Sequence, residues 1–121
     1  LLRPFGLIAG DAQTGRLQVR RCWDTLCGLA FRDVNDIYLY DMGETAKLVT
    51  VLNRDVGLAI RGVCAAPDGG RWKLPGWTVV SERELVEGDA PILVCNFVES
   101  ARRRRHLAEL GVPEGRIVMP L

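Results

Sequence analysis

Short apolar runs alternate with segments of helical periodicity along most of this chain, and this alternation constrains its fold more than any other feature. Apolar runs typical of β-strands cover residues 37–40, 58–65, 77–80, 91–97 and 116–119, and helical patterns cover residues 46–56, 82–87 and 99–110. Strands that alternate with helices pair in parallel, and their right-handed crossovers place helices on both faces of the sheet. The pattern therefore predicts a three-layer, Rossmann-like α/β fold with a mainly parallel five-stranded sheet.

Start and stop signals support several of these elements. Ser81 followed by Glu84 forms a capping-box pattern at the start of the short helix 82–87. Gly111 and Pro113 follow the last helix, where such residues commonly end one. The Pro- and Gly-rich stretch "APDGGRWKLPG" predicts a loop between the second and third strands.

The first 35 residues form an N-terminal extension, and residues 36–121 form the Rossmann-like domain. A helix is expected near residues 17–31, because one helical face would carry a set of small and apolar residues: Val19, Cys22, Trp23, Leu26, Leu29 and Ala30. A hairpin around residues 11–15 is the alternative for its beginning. The apolar face predicts a homodimer, and the alternative is that this face packs on the sheet edge. The chain begins without methionine, so we expect a piece of a longer protein.

Composition narrows the class of protein. At 121 residues the chain is long enough for one domain with its own core. Its net charge of +1 argues against nucleic-acid or membrane-surface binding, and no apolar run reaches the roughly 20 residues that span a bilayer. None of the four cysteines has a closely spaced partner, which favours free thiols without metal in a reducing cytoplasm.

The stretch "YDMGETA" resembles a dinucleotide-binding turn between a strand and a helix. Gly43 and Ala46 occupy the second and third small-residue positions, but Asp41 occupies the first. We expect Asp41 to cap the following helix through its backbone N–H groups and to repel a phosphate. Near Cys64, at the end of the second strand, no acid stands where a ribose-binding carboxylate is required. Ordinary NAD binding is therefore not expected, and the cofactor stays unassigned.

Candidate ligand-binding residues lie where the carboxyl ends of the first, second and fourth predicted strands meet. They are Asp41, Met42, Gly43, Glu44, Cys64, Asn96 and Phe97. The alternative is that Asn96 caps a helix and that Phe97 belongs to the core. The four arginines 102–105 cover most of a helix circumference, which predicts a solvated face, with Arg105 or His106 as candidates to meet an anionic partner.

From about residue 36 onward the chain resembles two related modules. "IYLYDMGETA", "RGVCA", "LPGWTVVS" and "LAELGVPEGRIV" resemble the Rossmann-like, CoA-binding-like module associated with sugar-nucleotide enzymes and bacterial regulators. "LPGWTVVS", "ILVCNFVES" and "RIVMPL" are similar to the C-terminal domain of sugar C-methyltransferases. The resemblance implies a Rossmann-like fold and a small-molecule or nucleotide-sugar ligand.

These features predict a non-catalytic ligand-sensing or interaction domain of a larger protein, with a degenerate nucleotide-binding turn. The alternative is the substrate-holding domain of a sugar-nucleotide modifying enzyme, of the C-methyltransferase or dehydratase/acetyltransferase type. No nucleophile–base pair is recognisable, so catalysis by the isolated chain is not expected. Cys95 and Tyr40 are the reactive residues closest to the predicted crevice.

Overall fold

The computed structural model describes residues 12–120, with side chains from residue 15 onward. Its elements are, in chain order, α1 (Ala12–Phe31), β1 (Asp36–Tyr40), α2 (Glu44–Val56), β2 (Ala59–Cys64), α3 (Glu82–Glu87), β3 (Ile92–Val94), α4 (Ser100–Leu110), a 3-10 turn (Glu114–Arg116) and β4 (Ile117–Val118). Strands and helices alternate from β1 onward, as the apolar pattern predicts.

The strands form one parallel sheet in the order β2-β1-β3-β4. This arrangement confirms a parallel α/β architecture compatible with a Rossmann-like fold. The prediction of five strands is wrong for the described part of the chain, where the sheet has four. The element that is lost is the predicted third strand at residues 77–80.

Residues 77–80 touch the sheet edge without forming a strand. Val79 makes a single parallel bridge to Val63. The N–H of Val63 donates to the carbonyl of Thr78 over 2.8 Å, and the N–H of Val80 donates to the carbonyl of Val63 over 3.0 Å. A turn precedes the segment and the N-cap of α3 follows it at Ser81, so too few residues remain for a ladder.

Two apolar cores cover the two faces of the sheet. Side chains of α1 and α2 pack with Ile37, Leu39 and Leu93 on one face. Side chains of α3 and α4 pack with Tyr40 and Ile92 on the other. Successive strand residues enter opposite cores because side chains alternate along a β-strand. This alternation produces the predicted three layers.

The N-terminal helix packs against the domain rather than standing away from it. Leu26 and Leu29 are fully buried in the same core as α2, so packing within the domain accounts for these two side chains. The predicted helix is confirmed and starts earlier, at Ala12. Residues 12–15 are therefore not part of a hairpin, and residue 11 lies outside the described residues.

The helix ends follow the predicted signals. At α3, the Ser81 hydroxyl accepts from the N–H of Glu84 and the Glu84 carboxylate accepts from the N–H of Ser81, which confirms the capping box. Helix α4 ends at Gly111, whose φ of 104° is accessible to glycine at little cost. Among the described residues, no helix has the length and apolarity that a bilayer crossing requires.

Gly62 lets the segment 77–80 approach β2, and its replacement tests that contact. A Cβ atom at Gly62 would lie 2.4 Å and 3.0 Å from the two γ-methyl carbons of Val80, so rotation of that side chain gives no relief. We expect Gly62→Ala to lower the free energy of unfolding by about 1–3 kcal/mol. Gly28→Ala, in the interior of α1 with no described atom within 4 Å, is the control and should raise it by about 0.5–1 kcal/mol. Urea unfolding of both variants provides the measurement, and equal effects would contradict the expectation.

Candidate functional site

The candidate site lies at the carboxyl ends of β1 and β3. The chain leaves β1 through α2 toward β2 on one side, whereas β3 lies on the other side of β1. Such a switch in strand order opens a crevice at the sheet edge, and this crevice is where α/β proteins bind their ligands. The sequence predicts a site at this edge.

A cleft of about 200 Å³ opens there. It is lined by Gln18, Asp41, Gly43, Glu44, Thr45, Cys95, Asn96, Phe97 and Val98. Five of the seven predicted site residues are therefore brought together. Thr45 and Val98 are sequence neighbours of predicted residues, whereas Gln18 comes from α1 and carries no recognisable motif.

Met42 and Cys64 are the two predicted site residues that do not line this cleft. The Met42 side chain is buried in the core shared by α1 and α2. Its backbone carbonyl accepts from the N–H of Trp72 over 2.9 Å. Cys64 is buried on the opposite face, where desolvation raises the pKa of its thiol to about 12.

Asp41 does not cap α2, which corrects the role predicted for it. The N-cap residue is Gly43, and no side chain makes a capping hydrogen bond there. Asp41 Oδ2 instead accepts from Arg103 Nε and from Asn96 Nδ2, each over 3.0 Å. The residue is buried and has a φ of 91°, the positive-φ geometry for which glycine is favoured at this position of the turn.

Arg103 is the cationic partner of Asp41. Its side chain is only 6% exposed, although the arginine run predicts a solvated face. Burial opposes the charged guanidinium, but hydrogen bonds to Asp41 and Asp68 outweigh it and raise the pKa of Arg103 above its ordinary value. The other three arginines of the run are exposed, as predicted. Helical spacing separates Arg103 from them, because it shares a face with Leu107.

The loop between β2 and α3 closes over the turn. A Cβ atom at Gly69 would lie 2.7 Å from Asp41 Oδ1, and one at Gly70 would lie 3.1 Å from the carbonyl oxygen of Met42. The Lys47 ammonium lies 5.8 Å from the centre of the Trp72 ring, within the range of a cation–π contact. The loop thus packs directly against the turn between β1 and α2.

Asn96 joins the cleft to α4. Its Oδ1 accepts from the N–H of Glu99 over 2.8 Å, while its Nδ2 donates to Asp41. The first contact holds the residue that precedes α4, but Asn96 is not the helix cap that the alternative predicts, because the N-cap residue is Glu99 and no side chain makes a capping hydrogen bond there. Phe97 is half-buried and packs against the core shared by α1 and α2, in line with the alternative for that residue.

The reactive residues near the sheet edge are held in unreactive states. Tyr40 is fully buried, and its hydroxyl donates to Glu82 Oε2 over 2.9 Å. Burial and then this hydrogen bond raise the pKa of Tyr40 above its ordinary value. Burial likewise raises the pKa of the Cys95 thiol well above the usual range. Neither side chain is poised to ionise at neutral pH.

His106 meets an internal partner. Its Nε2 lies 2.8 Å from Glu82 Oε2, and its ring stacks on Tyr40 with 6.5 Å between ring centres. All four cysteines are unbridged. Within residues 12–120, no group of three or more histidine, cysteine, aspartate or glutamate side chains is arranged to hold a metal ion.

No protein-family model matches the chain, and no curated protein matches it either. Function must therefore be inferred from the chemistry of the site.

Two substitutions of Asp41 distinguish the contribution of its ion pair with Arg103 from the effect of its positive φ. Asp41→Ala leaves Arg103 buried with one carboxylate fewer, and we expect a loss of about 3–5 kcal/mol in the free energy of unfolding. Asp41→Gly loses the same pair but relieves the positive φ, so its loss should be smaller by about 1 kcal/mol. Chemical denaturation of both variants tests the ranking.

Arg103→Met provides the control for this pair. If the carboxylate and the guanidinium act on each other, the double variant Asp41→Ala, Arg103→Met should lose clearly less than the sum of the single losses. Additive losses would show that the two side chains contribute independently. Equal stability of the glycine and alanine variants would contradict the strain attributed to residue 41.

Proposed function

We propose that this chain is a non-catalytic, Rossmann-like binding module that holds a small molecule in the cleft between β1 and β3. The observation that carries the proposal is the cleft itself, which lies at the switch in strand order and is lined by polar and aromatic side chains. The buried state of Cys95 and the engaged hydroxyl of Tyr40 support the non-catalytic part.

The polarity of the cleft favours an uncharged ligand. Asp41 and Glu44 supply carboxylates, and the described residues that line the cleft include no lysine or arginine. The amides of Gln18 and Asn96 offer hydrogen bonds, and Phe97 offers an apolar wall. The Asp41 carboxylate is paired with Arg103, so a phosphate would be repelled chiefly by Glu44, which costs on the order of 1 kcal/mol in water at 4 Å and more at lower dielectric.

The size of the cleft points the same way. Sites for drug-sized ligands span about 300–1,000 Å³. The cleft, at about 200 Å³, is smaller than that range and suits one ring-sized group rather than a whole dinucleotide. A free sugar, or the sugar part of a nucleotide sugar, matches both its size and its hydrogen-bonding groups.

Thermal unfolding in the presence of matched compounds tests this function. Neutral sugars, nucleotide sugars, coenzyme A and nucleotides form the panel, and a stabilising shift with a sugar-bearing compound is the expected result. Thr45→Trp, which fills the cleft, should abolish that shift, while Thr78→Trp, on the exposed segment 77–80, should leave it unchanged. The absence of any shift across the panel would favour a purely protein-binding module.

Phosphate exclusion gives a separate prediction. Wild-type protein should bind ADP with a dissociation constant of about 1 mM or weaker. Glu44→Gln removes one carboxylate from the cleft and should tighten ADP binding about five-fold, since about 1 kcal/mol of repulsion is lost. Glu87→Gln, at the exposed end of α3, is the matched control. Calorimetric titration with ADP measures the dissociation constants of the three proteins. Micromolar ADP binding by wild type would show that the turn is a working phosphate site.

We also propose that α1 mediates homodimer formation. Three large apolar side chains on this helix stay accessible: Leu17, Trp23 and Phe31, the last of them 90% exposed. Sedimentation at micromolar concentration should show a dimer, and Phe31→Glu should shift it toward monomer because burial of that ring would no longer contribute. Wild-type protein that stays monomeric on concentration would refute the interface.

A further inference from the structure

Asp68 forms ion pairs with two arginines near the start of α4. Arg102 Nη1 lies 2.6 Å from Asp68 Oδ2, and Arg103 Nη1 lies 2.6 Å from Asp68 Oδ1. Each carboxylate oxygen therefore has its own guanidinium. The Asp68 side chain is nevertheless 49% exposed, so one side of this contact faces solvent.

Both guanidinium groups are held in place by other contacts. Arg103 is buried, and its Nε donates to Asp41. Arg102 is anchored by Glu99 in the first turn of the helix. Planar guanidinium groups that converge on a pair of oxygen atoms match the geometry of phosphate and carboxylate recognition. Each arginine thus has a carboxylate partner besides Asp68, which is Asp41 for Arg103 and Glu99 for Arg102.

We propose that Asp68 is the internal occupant of a two-arginine oxyanion site, and that a phosphate-class anion competes with it for Arg102 and Arg103. The ligand class follows from the donors, which present charged N–H groups to two oxygens of one group. The start of α4 adds the positive end of a helix dipole. None of these three residues lines the cleft, so this site is distinct from the cleft, although Arg103 contacts Asp41 in its lining.

The net charge around the two arginines opposes the binding of an external anion while Asp68 is in place. Two arginines face three carboxylates, those of Asp41, Asp68 and Glu99, so this cluster carries one net negative charge. An incoming anion must displace the tethered Asp68, which acts at a high effective concentration. Without the Asp68 charge, the two guanidinium groups and the two remaining carboxylates would neutralise each other.

Displacement of Asp68 would release the loop that covers the turn. Asp68 ties this loop to α4, whereas the Trp72 N–H ties its other end to Met42. Gly69 and Gly70 lie between these two attachments, against Asp41 and Met42. The Gly69 N–H donates to the carbonyl of Ala66 over 3.2 Å, so amide hydrogen exchange at Gly69 reports loss of the Asp68 contact.

Asp68→Asn tests the site directly, since it removes the competing charge and leaves Asp41, Asn96 and Arg103 in contact. Isothermal titration with sodium phosphate, against sodium chloride of equal ionic strength, should show binding at least about ten-fold tighter than in wild type. The double variant Asp68→Asn, Arg102→Gln should lose this gain. Equal phosphate affinity in Asp68→Asn and wild type would overturn the proposal.

Two further measurements keep the test specific. Glu114→Gln frees Arg104, a single exposed arginine on the same helix, and a phosphate gain as large as that of Asp68→Asn would also overturn the two-arginine site. In wild-type protein, phosphate should speed amide exchange at Gly69 relative to matched chloride. Unchanged exchange at phosphate concentrations well above the dissociation constant of the wild-type protein would refute competition with Asp68.

Discussion

The buried ion pair between Asp41 and Arg103 is the interaction on which this end of the molecule depends. It joins residues that are 62 positions apart in the chain. Through Asn96 the same carboxylate holds the β3–α4 connection, and through Asp68 the same guanidinium holds the β2–α3 loop. Three connections at the carboxyl edge of the sheet are thus fastened to one pair of charges.

Such a pair is costly to bury and becomes more costly when broken. Removing two charges from water carries a penalty of several kcal/mol per ion, which close geometry and additional hydrogen bonds offset. Asn96 supplies one of these hydrogen bonds to Asp41, and Asp68 supplies a second partner to Arg103. The positive φ of Asp41 adds strain that only the surrounding contacts can hold. The turn is therefore shaped by distant partners, not by its own sequence.

The parts of the fold that local rules govern were predictable. Helix α3 has the predicted bounds because its capping box is contained within four residues. The predicted third strand failed because sheet membership requires a partner with enough free length, which apolar composition does not reveal. At the N-terminus, the apolar face of α1 was visible in the sequence, but whether it met the sheet or a second chain was not.

The candidate site shows the same division between local and distant effects. Strand ends predicted the position of the cleft, since the carboxyl ends of parallel strands meet at one edge. The role of Asp41 was missed because a capping rule considers neighbouring N–H groups, whereas its partners come from the β3–α4 connection and from α4. Arg103 was identifiable in principle, because it precedes Leu107 by four residues on the buried face of α4.

The same carboxylate both lines the cleft and accepts the hydrogen bond from Arg103. A ligand that takes a hydrogen bond from Asn96 or approaches Asp41 therefore acts on groups that already position the β2–α3 loop. Coupling between two sites requires that a ligand bind one arrangement more tightly than another. Asp41 and Arg103 form a direct physical connection between the lining of the cleft and the contact that holds Asp68.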